Sequence, residues 1–551
     1  MNYINYHCHS SMSNISTPDS TISNRARAIR ASELGQKVLS GVEHGWCGRF
    51  IETIELAKEF ELKPLLGAEV YIVKNRFEKD RTNAHLILLA KNENGRKAIN
   101  RILSEANISG FYYKARIDLE LLFTLPKDDV WVTSACVAGL PWKYEDSEFI
   151  LAQLHNYFQE NFYLEVQNHN VESQKTLNKK ILDLSQAYNI KIIAGMDSHL
   201  ISENQYQERE DYLLSRGIEY PEENNWYLDW PSYDEAFKRF EEQGVLNQEQ
   251  IAEALNNTNI FEKVEPYTSV IFDPDIIKLP TLYPENSQEE KNKILENLIW
   301  EQWEKEKIHI DREKHSLYEE EIRKELDTVF ITNMSDYFLL DYEVIKHGKE
   351  LGGQITLTGR GSAPSFYLSK LLGFTTIDRI SASVKLFPER FISAERLLET
   401  KSLPDIDFNL GNPEVFARAQ NDILGDGHSY PMIAFGTVKV SGAWKLYSRI
   451  SNIDFETANE VSEQLQKYEM DLKHTDNDEE KDLLNVLDYI DPKYHQIFNE
   501  SKKYLGLVNS LTPHPCFVAG TKVYTNNGYK NIEDIQEGDF VFTHSRKFNK
   551  V

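Results

Sequence analysis

Six short apolar runs punctuate the first 200 residues: "QKVLSGVEHG" (36–45), "KPLLGAEVYIV" (63–73), "AHLILLA" (84–90), "DVWVTSAC" (129–136), "NFYLEVQ" (161–167) and "IKIIAGMDSHL" (190–200). Runs of this length and composition read as buried strands. Between them apolar residues recur at helical spacing, as in "RFIETIELAKEF" (49–60). Such alternation predicts a parallel β/α barrel, whose chemistry gathers at the C-terminal ends of its strands. Beyond residue 210 the pattern changes. A charged, helical stretch opens with "EKNKILENLIW" at Glu290, and "LTGRGSAPSFYLSKLLG" (357–373) sets a glycine-bracketed turn before an apolar helix. "LPDIDFNL" (403–410) alternates as an extended segment does, and "MIAFGTVKVSGAWKLYSRI" (432–450) runs into a helix carrying Lys445 and Arg449. Near the C-terminus, "TKVYT" and "DFVFTH" read as strands, with an Asn-Gly turn between them.

Metal-type side chains fall at the ends of the early strands. "YHCHS" places His7 and His9 on one face of an extended segment, and "MDSH" repeats that geometry with Asp197 and His199. His44 follows "VLSGVE", Glu69 follows "PLLGA", His85 precedes "LILLA", Cys136 follows "WVTSA", and Asp19 follows the first segment. One H-x-H pair carries little weight. Imidazoles, carboxylates and a thiol at successive strand ends suit zinc or manganese ions and water activation for phosphodiester cleavage. The order of these residues resembles the PHP (polymerase and histidinol phosphatase) domain over residues 1–210. That resemblance implies a distorted β/α barrel with a trinuclear metal site at these nine positions. Glu43 stands where polymerase-attached members often have Asp. His169 is not a ligand position in that pattern.

The second half carries a different chemistry. Backbone N–H groups at a glycine-serine turn suit a triphosphate, with Arg360 beside them. Asp405 and Asp407 alternate, so both carboxylates face one side, as two-metal phosphoryl transfer requires. "YFLLDYEVIKHGKELGGQITLTGRGSA", "LFPERFISAERLLETKSLPDIDFNL" and "MIAFGTVKVSGAWKLYSRI" together resemble the palm of the C-family DNA polymerases, the DNA polymerase III alpha subunits. With the PHP region, the resemblance covers residues 1–515. It implies a polymerase β-like palm in which Gly361 and Ser362 contact the incoming nucleotide. Asp405 and Asp407 are then the first two catalytic carboxylates on two Mg2+ ions, and Arg360, Arg390 and Lys439 support phosphate contact. Asn409 replaces the last acidic residue of the usual P-D-I-D-x-D, and Pro364 replaces a small residue after the Gly-Ser pair.

The palm pattern stops at Pro515. "CFVAGTKVYTNNGYKNIEDIQEGDFVFT", from Cys516, resembles the N-terminal block of a Hint-fold intein. The resemblance implies that the Cys516 thiol attacks the Pro515 carbonyl. The expectation is a precursor that lacks the fingers and the third carboxylate. It is joined by trans-splicing to a C-terminal polymerase half bearing the complementary intein fragment.

The expected organisation is α/β multidomain: a PHP distorted β/α barrel (1–210), a connecting region (211–285), an α+β palm (286–430), a helical thumb with the start of returning palm (431–515), and a partial all-β Hint segment (516–551). The implied partners are primer–template DNA, dNTPs, and a sliding clamp through the other half. A net charge of −26 argues against a protein that coats nucleic acid, though not against an enzyme with a local groove. No run of about 18 apolar residues appears, and the N-terminus lacks a secretory signal pattern. Four scattered cysteines fit a reducing cytoplasm. Two other readings remain: a stand-alone PHP phosphoesterase or 3′–5′ exonuclease, and a non-catalytic scaffold stabilised by metal.

Overall fold

The computed structural model describes residues 2–268, 280–356, 361–400, 403–425, 428–430, 433–475, 481, 483–513, 522–525, 528–531, 540–542 and 548–550. The chain forms two compact units, Met1–Ile271 with Ala434–Thr512, and Phe272–Ile433 with Pro513–Val551.

The first unit is built on a seven-stranded sheet. Its strands are β1 (Val38–Gly41), β2 (Lys63–Ile72), β3 (Ala84–Ala90), β4 (Arg116–Ile117), β5 (Val130–Thr133), β6 (Phe162–Val166) and β7 (Ile192–Ala194). All six apolar runs therefore become strands, and the sheet order is β1-β2-β3-β5-β6-β7, with β4 beside β2. The wholly parallel barrel expected from the alternation is not what forms. β3 runs antiparallel to both β2 and β5, in the register Tyr71↔His85 and Ile87↔Thr133. Periodicity carries no direction, and the loop from β2 to β3 is short enough to reverse the chain.

That reversal matters for the site. His85 stands at the start of its strand, whereas His44, Cys136, Asp197 and His199 follow theirs. Only because β3 is inverted does its beginning share a rim with the other strands' ends. Backbone bridges close the rim: Cys8 pairs with Ser198, His44 with Glu69, and His85 with Gly139.

Helices are capped where the sequence provides an acceptor. Ser23 accepts from the Ala26 amide ahead of Asn24–Glu33, and Asn92 accepts from Gly95 ahead of Glu93–Ile108. Their apolar faces close over a buried cluster that includes Leu66, Val70, Leu86, Leu88, Val132 and Leu164. The segment from residue 434 shares a smaller core with residue 212–213 side chains: Tyr212 and Leu213 pack with Val438, Ala443, Leu446 and Tyr504.

The second unit is mainly helical. Helices Gln288–Glu306, His315–Ile331 and Ser335–Glu350 enclose Leu295, Ile299, Trp303, Ile322, Leu326 and Phe338. A two-stranded sheet, β8 (Ile355–Thr356) against β9 (Asn409–Leu410), brings the glycine-serine turn and the aspartate segment together. At the C-terminus, strands Lys522–Thr525, Gly528–Asn531, Phe540–Phe542 and Phe548–Lys550 form an antiparallel sheet. Both strands expected there are present, but Cys516 and Pro515 lie outside the described residues.

Candidate metal centre and nucleotidyl-transfer site

All nine metal-type residues of the first unit converge at the rim. Their donor atoms form three sets: His7, His9, Glu69 and Asp197; Asp19, His44 and His199; and Glu69, His85 and Cys136, each set lying within 4.8 Å. Glu69 belongs to two sets. His7 Nε2 lies 3.0 Å from Asp197 Oδ1 and 3.2 Å from Glu69 Oε2. His44 Nε2 lies 2.7 Å from Asp19 Oδ2, and His85 Nδ1 lies 2.8 Å from Glu69 Oε1. Cys136 Sγ is 3.7 Å from His85 Nδ1.

Surrounding residues fix how the imidazoles present themselves. His7 Nδ1 faces the Glu165 carboxylate at 2.7 Å, so Nδ1 carries a proton and Nε2 is the nitrogen turned to the cluster. Ser13 Oγ donates to Glu43 at 2.7 Å and accepts from the His44 amide. It is then an acceptor for His9 Nδ1 at 3.2 Å, which again leaves Nε2 free. Glu43, the departure noted in the sequence, is no member of the donor sets. It accepts from the Ser10 amide, Ser10 Oγ, Ser13 Oγ and Arg27, and so clamps the loop after His9.

Electrostatics favour cations here. Burial alone would raise Asp19, Glu69 and Asp197, yet the neighbouring histidines hold all three well below the carboxylate range. Burial opposes charge on His7 and His44, but Asp197 with Glu165, and Asp19 with Glu69, hold them well above the usual imidazole range. Burial pushes the Cys136 thiol well up, and Asp197 and Glu69 push it further. Protons thus occupy positions that suit metal ions. The donor set fits such ions on a second ground. His9 Nε2, Asp19 Oδ1, Asp197 Oδ1 and His199 Nδ1 are buried without a well-aligned hydrogen bond and meet only other cluster atoms at 3.0–3.6 Å, an arrangement that an ion would complete. Asp197 also holds a left-handed backbone, φ +48°.

Sequence reasoning missed Glu165, which hid as the one charged residue within an apolar strand. It accepts from Tyr6, His7, Gln167 and Thr133 at full burial. Gly195 leaves the room it needs, because a Cβ there would collide with Glu165 Oε1. Gly195→Ala is expected to turn the carboxylate off His7 and weaken metal affinity about 10–100-fold, measured by titration of the stripped protein. His169 stays outside the donor sets. It stacks on Trp226, and burial lowers its pKa to about 4. A cavity of about 340 Å³ opens onto Asp19, His44, Glu69, His85, Cys136, Asp197 and His199, flanked by Trp142, Lys143 and Trp226.

In the second unit, Asp405 and Asp407 lie on an irregular extended segment just before β9, rather than within a strand. Ile406 and Phe408 pack against the core, whereas Asp405 is exposed and Asp407 half-buried. Tyr337 Oη donates to Pro404 O at 2.6 Å and pins the segment's start. Gly361 has φ +63°, and a Cβ there would also collide with Asp407 Oδ2. The turn and the carboxylate therefore touch. Ser362 follows, its carbonyl accepting from Ser365 N at 3.0 Å and Ser365 Oγ at 2.6 Å. Pro364 occupies the first turn of the short helix Ala363–Ser365, where a missing N–H costs nothing. Asn409 bonds Thr356 across the β8–β9 pair, a structural task for the residue that departs from the acidic pattern.

Arg390 is exposed at the end of the turn Pro388–Arg390, and Lys439 is exposed in the other unit, immediately before helix Val440–Ile450. Arg360, like Cys516, lies outside the described residues. Asp341, one helical turn beyond Tyr337, was also missed, and burial pushes its carboxyl up to about 7. Between pH of about 4 and 7 the folded chain keeps a proton there that the unfolded chain releases, so stability falls as pH rises through that window. Asp341→Asn is expected to flatten that slope and raise the melting temperature at pH 8, as read in a thermal-melt series.

Residues 5–169 match the PHP domain family, and residues 293–528 match the family described as bacterial DNA polymerase III alpha NTPase domain. The second match runs past Cys516, so it does not mark a seam there. The DNA polymerase III subunit alpha of Borreliella burgdorferi is 26% identical over 453 residues, covering 79% of this chain and 38% of that protein. That of Aquifex aeolicus is 26% identical over 496 residues, covering 84% and 41%. That of Chlamydia trachomatis is 27% identical over 526 residues, covering 84% and 42%. A solved structure described as a metal-dependent phosphoesterase, from Bifidobacterium adolescentis, overlaps at a TM-score of only 0.25 with 15% identity over 35% of this chain and 86% of that one, and carries no weight. The chain is homologous to the N-terminal region of DNA polymerase III alpha subunits and carries a PHP domain. It spans about two fifths of the length of these relatives. Among the described residues no helix is long and apolar enough to cross a membrane.

Proposed function

We propose that this chain is the N-terminal part of a replicative DNA-directed DNA polymerase. The observation that carries the reading is the contact between the Gly361 turn and Asp407, which makes a phosphate-binding backbone and a metal-binding carboxylate parts of one site. Asp405 and Asp407 would hold Mg2+ ions, which, when bound, acidify the primer 3′-hydroxyl and neutralise charge developing on pyrophosphate. The chain's own residues position these groups. Ile406, Phe408 and the Tyr337–Pro404 bond fix the carboxylates, while Gly361 and Ser362 present the turn to the triphosphate. Arg360 and Arg390 act as supporting phosphate contacts. Primer–template DNA and dNTPs are the substrates this reading implies, with a sliding clamp as partner.

The remainder of the polymerase joins by trans-splicing from Cys516. The thiol attacks the Pro515 carbonyl carbon, the peptide C–N bond breaks, and the freed amine takes the proton, leaving a thioester. The antiparallel strands Lys522–Thr525 and Phe540–Phe542 support an all-β Hint fragment. Mixing the chain with a downstream polymerase fragment that carries the complementary intein piece should yield a larger ligated product, and Cys516→Ala should yield none. Equal ligation by Cys516→Ala would refute the splicing step.

A second reading, a PHP phosphoesterase or 3′–5′ exonuclease, is favoured by the buried donor atoms that lack well-aligned hydrogen bonds and by the cavity that opens onto the cluster. Metal-dependent release of 3′ nucleotides by the chain alone, lost in Asp197→Asn, would establish it. Absence of release at any loading of zinc or manganese would leave the metals a structural part.

A further inference from the structure

We propose that two surface loops of the first unit, residues 74–83 and 109–114, form a platform that binds single-stranded nucleic acid. The inference goes beyond the polymerase reading, because it adds a strand-binding surface outside the palm. It does not depend on whether the metal centre cleaves anything.

Three aromatic side chains stand out from these loops. Phe77, Phe111 and Tyr113 are 62%, 63% and 62% exposed, where an ordinary loop would be polar. Arg81 lies over the Tyr113 ring at 3.7 Å, and Arg76 over the Phe77 ring at 4.3 Å. Unpaired bases stack on aromatic rings and on guanidinium planes alike. The charge has the matching sign. "KNRFEKDR" (74–81) and "GFYYKAR" (110–116) hold six cations against two carboxylates, in a chain of net charge −26. Lys74 and Arg76 are paired with Asp146 and Asp118, whereas Lys79 and Arg81 are exposed and form no ion pair among the described residues. The two carboxylates serve their own loop: Glu78 accepts from Asn75 Nδ2 at 3.0 Å, and Asp80 from Thr82 N at 2.9 Å. A purely apolar patch would suit a protein partner. Cations interleaved with aromatic rings suit a phosphate backbone and its bases.

The loops are also held in place. Arg116, only 2% exposed, donates to Gly110 O at 2.9 Å, Glu78 O at 2.8 Å, Asp80 O at 2.7 Å and Arg76 O at 2.8 Å. One buried guanidinium thus ties both loops together, and Arg76 Nε adds a bond to Ser109 Oγ at 3.3 Å. Tyr113 keeps a left-handed φ of +62°, a cost that the surrounding bonds must offset to leave its ring in solvent. Both loops adjoin the cavity over the metal centre. Lys114 Nζ donates to Ser16 O at 2.7 Å and to Thr17 Oγ1, and Thr17 lines that cavity. Tyr144 Oη meets Thr82 O at 3.3 Å, one residue beyond Lys143 of the cavity wall.

The test titrates the full chain, with chelator present, into fluorescent oligothymidylate and follows anisotropy. Phe111→Ala and Tyr113→Ala are each expected to weaken binding about 10-fold with an unchanged melting temperature. Phe111→Tyr should bind as wild type does and Phe111→Leu as poorly as Phe111→Ala, because stacking needs a ring. Arg81→Gln should lower the slope of log affinity against log salt by about 0.7. An oligomer carrying iododeoxyuridine should photocrosslink within residues 74–83 or 109–114, as mapped by mass spectrometry. Equal affinity in wild type and the Phe111→Ala/Tyr113→Ala double variant, or cross-links confined to other residues, would overturn the proposal and leave the polymerase reading to primer extension. Phe111→Leu binding as wild type would overturn it too, marking the patch as a docking face for protein. So would a wild type that binds no oligothymidylate.

Discussion

Asp407→Asn, in the completed enzyme, is expected to lower primer extension on the order of 10³-fold while the protein stays folded. The loss is electrostatic. A neutral amide cannot balance a divalent cation beside a triphosphate, and removing one preorganised charge partner from such a site costs about 10²–10³-fold or more. Asp405→Asn should behave alike. Gly361→Ala should produce a comparable loss through geometry, because the added methyl meets Asp407 Oδ2 and the left-handed φ is unfavourable for alanine. Steady-state extension assays with circular dichroism as a folding control separate these effects from misfolding. Extension within a few-fold of wild type in Asp407→Asn would remove that aspartate from the catalytic set.

Chelation carries the second large effect. Asp19, Glu69 and Asp197 are buried among the cluster's histidines, and four polar atoms of the cluster lack a well-aligned hydrogen bond that an ion would replace. An ion present at about 1,000 times its dissociation constant stabilises the fold by roughly 4 kcal/mol. Stripping the cluster with a chelator should therefore lower the melting temperature of the first unit by roughly 10 °C, and re-addition of Zn2+ or Mn2+ should restore it. Asp197→Asn should start near the stripped value and respond weakly to chelator. A melting curve indifferent to chelator would mean that the cluster binds no metal.

The sequence displayed the strands and donors more plainly than their spatial relation. Six apolar runs became strands because burial on both faces leaves an uninterrupted Val/Ile/Leu signature. The direction of β3 left no such trace. The only hint was that His85 precedes its run while the other donors follow theirs. Glu165 was overlooked for a related reason: in "NFYLEVQ" it resembles an outward-facing residue, and only the inward turn of β6 shows it bonded to His7. Glu43 read only as a departure from the Asp common in polymerase-attached members, and its hydrogen bonds to Ser10 and Ser13 show it clamping the His9 loop. In the second unit Asp405, Asp407, Gly361 and Ser362 stood out as motifs because the proposed chemistry would dictate residue type at those positions. The contact between Gly361 and Asp407 depends on the β8–β9 pairing, which two-residue strands do not announce. Asp341 looked like one more charge on a charged helix until burial set it apart.

Primer extension with Mg2+, measured in parallel on this chain alone and on the ligated product with the downstream polymerase fragment, tests the account most directly. The account predicts no extension by the chain alone and robust extension by the ligated product, abolished by Asp407→Asn. Extension by the unassisted chain, or a ligated product indifferent to Asp407→Asn, would contradict it.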